Sequence, residues 1–188
     1  MDIFRYNFLK IKVQEDTSNQ NKFNSFMYAQ ELLAVTTILS GLMSGFFFAY
    51  TFSVNLGLAK LNNKEYLTAM QSINKEVLNS IFYISFFGTL FSLIISSIMY
   101  FDIHSPKFLL IFFSCISYVI GVFGITAVRN VPLNNKIELF DISKASEESL
   151  QKMRVIFEKP WLFWNNIRTL ASFIAFVCLV IALTFLND

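Results

Sequence analysis

The chain has 188 residues, of which 55% are hydrophobic, 17% aromatic and only 15% charged, against roughly 25% charged in an average soluble domain. That balance and a mean hydropathy of +0.53 exclude an ordinary soluble fold, and the length leaves room for one compact unit without a second large domain. The net charge of +2 provides no footprint for a nucleic acid or another polyanion.

In chain order, residues 1–31 read as a polar N-terminal tail to which no role is assigned, and 32–188 as a single membrane domain. A helix needs about 20 mostly apolar residues to cross ~30 Å of hydrocarbon. Four charge-free runs are long enough, at about 32–59, 77–101, 108–128 and 169–187. Each is bracketed by charge: Glu31 and Lys60, Glu76 and Asp102, Lys107 and Arg129, Arg168 and Asp188. The first starts too late and runs too long for a cleaved signal peptide. Without sustained period-2 alternation the spans are predicted as helices, because lipid admits only structures that satisfy their own backbone hydrogen bonds.

Every run carries small residues at helical spacing: Gly41, Gly45, Ala49 and Ser53; Ser85, Gly88, Ser92 and Ser96; Ser114, Ser117, Gly121 and Gly124; Ala171, Ala175, Cys178 and Ala182. Such seams let helices approach closely where lipid removes the hydrophobic drive for association. The expected fold class is therefore an all-α membrane protein, an antiparallel four-helix transmembrane bundle with an amphipathic helix in the last long loop. That helix is marked by Glu147 and Glu148 at its start and by Leu150, Met153 and Phe157 along one face. Residues 64–76 predict a similar short helix through Leu67, Met70 and Ile73. The tetrapeptide at Leu61–Lys64 recurs at Leu133–Lys136, a pattern that a duplicated two-helix hairpin would leave.

Alternating crossings put the 60–76 and 129–168 connections on one side. Arg5, Lys10, Lys12, Lys22 and Lys107 fall on the other side and the remaining basic residues on this one, so positive-inside counting puts the loop side in the cytoplasm. The same alternation gathers polar residues that the linear sequence scatters: Tyr50, Thr51 and Asn55; Asn74, Asn79 and Tyr83; Thr126, Arg129 and Asn130; Trp161, Trp164, Asn165 and Arg168. Aromatic and basic anchoring at headgroup level is the bland account of such a set. An anchoring belt, however, serves both membrane faces, and this set is concentrated at one. Arg129 and Arg168 on adjacent spans would bind an anion, a phenolate or a carbonyl oxygen.

The segments Gly41-Leu-Met-Ser-Gly45-Phe-Phe-Phe-Ala49, Gly57-Leu-Ala-Lys-Leu61, Met70-Gln-Ser-Ile-Asn74 and Gly121-Val-Phe-Gly-Ile-Thr126 precede the more specific Asn130-Val-Pro-Leu-Asn134, Trp164-Asn165 and Arg168-Thr169. Over roughly residues 35–185 the chain resembles the anthrone oxygenase-like family of small four-span membrane proteins, whose bacterial members largely have no assigned activity. The resemblance implies an oxygenase that converts a polyphenolic anthrone to an anthraquinone with dioxygen and no metal or organic cofactor. It also implies a bacterial inner (cytoplasmic) membrane location. On that reading Arg129, Arg168 and Asn130 are the expected catalytic residues, and Asn134, Asn165, Trp161, Trp164, Asn74 and Thr126 bind substrate. The expected partners are membrane lipids and a hydrophobic aromatic small molecule.

The residues themselves restrict the chemistry. The sole histidine, His104, falls in the short turn on the opposite face, and no cluster has metal-ligand spacing. Cys115 and Cys178 lie inside apolar runs and read as packing residues. There is no Rossmann or P-loop glycine pattern and no nucleophile elbow, and no clear general base. The competing class is a non-catalytic membrane protein that holds a lipid, a quinone, a hydrophobic metabolite or a membrane partner.

Overall fold

The computed structural model describes residues 2–184, with side chains for residue 14 and for 17–184 apart from 22. Met1 and residues 185–187 of the fourth expected span lie outside the described residues. The first helix, α1 (Asp2–Ala49), runs on through a π-helical turn, Tyr50–Val54, into the single turn α2 (Asn55–Leu58). Next come α3 (Asn63–Glu76), α4 (Ser80–Met99) and α5 (Pro106–Ile116). α5 continues through π-helical Ser117–Gly124 and Thr126–Asn130 into α6 (Val131–Glu138), and α7 (Glu147–Thr184) completes the chain. Four helices, Thr17–Leu58, Ser80–Met99, Pro106–Glu138 and Glu147–Thr184, are long and apolar enough to cross a membrane, and the described residues contain no strand.

Local sequence sets the helix starts. Asn62 and Glu65 form a reciprocal capping box at α3, Asn79 accepts from the Phe82 amide at α4, and Ser105 caps α5 with Pro106 in its first turn. Asn134, the counterpart of Asn62 in the recurring tetrapeptide, lies instead in the middle of α6. The two copies therefore do different structural work.

Three boundaries differ from expectation. Residues 2–31, expected as a tail, continue α1 as helix. The third crossing extends through Pro132, in the first turn of α6, to Glu138. The amphipathic helix and the fourth span are one helix, α7, running through Pro160. Buried Leu150, Phe157 and Trp161, with half-buried Met153 between them, keep one helical face apolar across the proline, so packing holds the helix where propensity would break it.

Antiparallel packing is visible in the pairings. Thr51 meets Thr169 while a Cβ at Gly41 would meet the Phe176 ring, and Ser114 and Ser117 donate to the Ala175 and Ala171 carbonyls, each at 2.9 Å. A Cβ at Gly121 would lie 2.5 Å from that of Ala171, so this seam tolerates only glycine. The other seam residues are not all contacts: Gly45 has nothing within 4 Å of its Cβ position.

A second core lies on the loop side, where α3, α6 and the first half of α7 bury Leu67, Met70, Ile137, Leu150 and Phe157. Outside lipid such burial is worth roughly 1.5–3 kcal/mol per large side chain. Arg154 pins this unit to the end of the first crossing by donating to the Leu61 and Ala59 carbonyls at 2.7 and 3.0 Å, pairing with Glu158 and lying 4.5 Å over the Tyr66 ring. Burial pushes the Tyr66 phenol pKa up, Glu158 adds to the rise and Arg154 opposes it, so Tyr66 stays a neutral core residue.

Candidate functional site

At their loop ends the four long helices part around a cavity of about 480 Å³, with Ile73 and Asn74 of α3, Val77 just beyond it and Asn134 of α6 on its loop side. Nine aromatic rings line it: Phe46, Phe47 and Tyr50 from the first helix, Phe82, Tyr83, Phe86 and Phe87 from α4, Phe123 from the third, and Trp161 from α7. The Phe82 and Phe86 rings stack at 5.4 Å.

Arg168 supplies the charge. It is 6% exposed, and its guanidinium carbon lies 4.7 Å from the Phe47 ring centre and 5.6 Å from that of Trp161. Nη1 donates to Thr126 Oγ1 at 3.2 Å and Nη2 to Asn165 Oδ1 at 3.0 Å, while Nε has no partner. No carboxylate pairs with Arg168 among the described residues; the ion pairs of Glu138, Asp141, Glu148 and Glu158 all lie in the loop-side unit. A buried charge is normally compensated by an opposite one, because neutral dipoles and ring faces recover only part of its lost hydration.

A hydrogen-bonded chain fixes the guanidinium. Asn165 Nδ2 donates to Thr51 Oγ1 at 2.9 Å, Thr51 shares a 2.8 Å bond with Thr169, and Thr169 Oγ1 reaches the Phe47 carbonyl at 3.2 Å. The chain ties α7 to the π-helical turn of the first helix, since Thr51 lies within it. Trp161 is held by its Nε1 donating to Asn134 Oδ1 at 2.8 Å, and its carbonyl accepts from Asn130 Nδ2 at 3.4 Å. Asn74 lines the cavity, and its Nδ2 is buried without a partner.

Of the residues expected at the site, Asn74, Thr126, Asn134, Trp161, Asn165 and Arg168 come together around the cavity. Asn130, 1% exposed, is held against the Trp161 backbone rather than lining the cavity, and its Oδ1 has no partner. Arg129 and Trp164 are not brought in: exposed Arg129 stacks on Trp164 with its guanidinium carbon 4.8 Å from the ring centre. The expected pairing of Arg129 with Arg168 is therefore not made. The cause is local. Thr126 Oγ1 takes the Val122 carbonyl at 2.7 Å, and the backbone turns by i→i+5 bonds from Val131 N to Thr126 O and from Ile125 N to Ile120 O. Each wide turn holds one more residue than an α-helical turn and so rotates Arg129 away from the face that Thr126 occupies.

The sequence reading gathered Tyr50 at the loop face but missed Phe46, Phe47, Phe82, Phe86 and Phe123 as cavity walls. The available signal was the spacing of Phe46, Phe47 and Tyr50 along one face at the loop end of the first span. Their neighbour Phe48 is 53% exposed, as three consecutive positions on a helix require. His104 lies in the turn before α5, and no group of three His, Cys, Asp or Glu side chains could hold a metal ion among the described residues.

No curated protein and no solved structure matches the chain. The sequence model of the anthrone oxygenase family matches residues 79–178, more than half of the chain, including α4, the third crossing and the part of α7 that carries Trp161, Asn165 and Arg168. The chain belongs to the anthrone oxygenase family.

Proposed function

We propose that this protein is a cofactor-independent membrane oxygenase acting on an anthrone-like or similar hydrophobic phenol. The observation that carries the reading is Arg168, a guanidinium without a carboxylate partner inside an aromatic cavity. Its missing partner is the oxyanion of a planar substrate. A flat polycyclic ring fits between Phe47, Phe86, Phe123 and Trp161, with its oxygen toward Arg168 and a second oxygen within the chemistry of the unpartnered Asn74 amide.

The chemistry follows from stabilising that oxyanion. Arg168 lowers the pKa of the bound keto-phenol, and a proton passes from the ring methylene to water. The enolate gives one electron to dioxygen, and the resulting radical and superoxide combine to form a carbon–oxygen bond. The peroxide takes up a proton. Its O–O bond then breaks as the remaining methylene hydrogen leaves as a proton, giving water and a ketone. The sum is CH₂ + O₂ → C=O + H₂O, with the substrate as the electron donor. Thr126 and Asn165 position Arg168, and Asn134 positions Trp161.

On this reading residues 32–188 form the membrane unit, in a bacterial cytoplasmic membrane with the loop side toward the cytoplasm, supported by the excess of basic residues there. The test is oxygen uptake by the detergent-solubilised protein supplied with a hydroxylated anthrone. One dioxygen should be consumed per anthraquinone formed, and Arg168→Met should lower the rate about 10²–10³-fold. Unchanged turnover in Arg168→Met would refute the site. The absence of a carboxylate or histidine from the cavity wall favours a second reading, a carrier that binds the phenol without reacting. Ligand recovered unoxidised after incubation in air would establish it.

A further inference from the structure

A second cavity, of about 500 Å³, lies between α1 and α4 beside the first. Phe46, Tyr50, Ile73, Val77 and Phe82 line both. Leu42, Ile81 and Ser85 line only the second. Its outer rim faces away from the bundle, since Leu42 is 57% and Ile81 78% exposed, and both lie in helices apolar enough to cross a membrane. Glu76 at the end of α3 and Asn79, the N-cap of α4, give this cavity a polar end above an apolar floor.

The gap has a structural origin. Farther from the loop face α1 and α4 are close: Thr36 and Ser96 share a 3.3 Å hydrogen bond, and a Cβ at Gly88 would lie 3.1 Å from Leu39. Toward the loop face the small residues give way to Phe46, Tyr50 and Phe82, whose rings hold the helices apart. What divides the two cavities there is the rings themselves, with centroids 5.0 Å apart for Phe46 and Tyr50 and 5.5 Å for Phe46 and Phe82. Aromatic side chains turn about χ1 and χ2 without breaking the backbone hydrogen bonds of either helix.

We propose that this second cavity is a lateral portal. A planar hydroxyaromatic ligand dissolved in the bilayer lodges between α1 and α4 with its polar edge toward Glu76 and Asn79, then slides past Phe46 and Phe82 to Arg168. The inference rests on the reading of the Arg168 cavity as the site for such a ligand. It adds that the ligand comes from lipid, which suits a molecule too apolar to cross water and leaves the loop-side unit closed throughout turnover.

The probe is 1,8-dihydroxyanthraquinone, read in phosphatidylcholine vesicles by stopped-flow quenching of tryptophan fluorescence. The background is Trp164→Phe, where Trp161 is the sole tryptophan. Leu42→Phe combined with Ser85→Phe fills the portal without touching the Arg168 cavity. It should slow association and dissociation about 10-fold each and leave Kd within about two-fold, the signature of an obstructed path. Leu42→Phe alone, at the exposed rim, should slow both in the same direction and serves if the buried Ser85 site does not tolerate the larger ring. Rates that stay at the background level in both variants overturn the portal while leaving the Arg168 site standing. A Kd unmoved by Arg168→Met overturns the reading of that site, whatever the portal variants do. Absence of quenching in the background protein overturns both.

Discussion

The two ends of the bundle handle polar groups in opposite ways. Away from the loops the hydroxyls are small and mostly closed on themselves: Thr36, Thr37, Thr89 and Ser97 donate to carbonyls one turn back, and Ser114 donates across to α7, with Ser40 Oγ the exception. At the loop end the polar groups are large and left open, with Arg168 Nε, Asn74 Nδ2, Asn55 Nδ2 and Asn130 Oδ1 all unpartnered. Closed hydroxyls hold helices together at little cost in apolar surroundings. The unpartnered Asn74 amide and the uncompensated Arg168 guanidinium destabilise the empty fold, and both belong to residues that line the cavity, as the proposed binding task requires.

This contrast can be broken by mutation. The largest effect is expected at Arg168. Beyond its loss of turnover, Arg168→Met should keep or raise the melting temperature in detergent, because an apolar side chain of similar volume removes an unpaired buried charge. A strong fall in melting temperature would make Arg168 a structural residue. Gly121→Val, in the tight seam against Ala171, should do the reverse, lowering stability by about 1–3 kcal/mol in denaturant titrations through the clash with that residue. The surviving folded fraction should retain its affinity for the hydroxyanthraquinone. Asn74→Ala removes an amide with no partner in the empty protein, so melting should barely move while KM rises about five- to ten-fold, about one hydrogen bond. Arg129→Ala should have the smallest effect, with turnover within about two-fold of the parent and a stability loss of about 0.5–1 kcal/mol from its exposed contact with Trp164. A collapse of activity there would restore the paired-arginine arrangement that the geometry does not make.

The crossings were legible in the sequence because lipid enforces them: charge-free length suffices, and each of the four runs overlaps one of the four long apolar helices. Trp161, Asn165 and Arg168 were legible as a group because their spacing of four and three puts them on one face of α7. Arg129 misled because nothing in Thr126–Asn130 announces a π-helical turn, which depends on the competition between the Thr126 hydroxyl and the backbone for the Val122 carbonyl. The continuity of α7 was hidden for a related reason. The charges that precede the fourth charge-free run separated the loop helix from that span, and only the buried face shared by Leu150, Phe157 and Trp161 shows why the helix carries on through Pro160.

The uncompensated charge of Arg168 also bears on how much of the protein a cell can keep. Any molecule that binds the folded chain and not the unfolded one raises its stability by mass action, by about 2.7 kcal/mol when present at a hundred times its Kd. On the proposed reading, loading would also supply the anion that the lone guanidinium lacks in the empty protein. Quality control that removes badly folded membrane proteins would then spare the loaded form. On the proposed reading, abundance of the protein would then follow the supply of its ligand without a dedicated sensor.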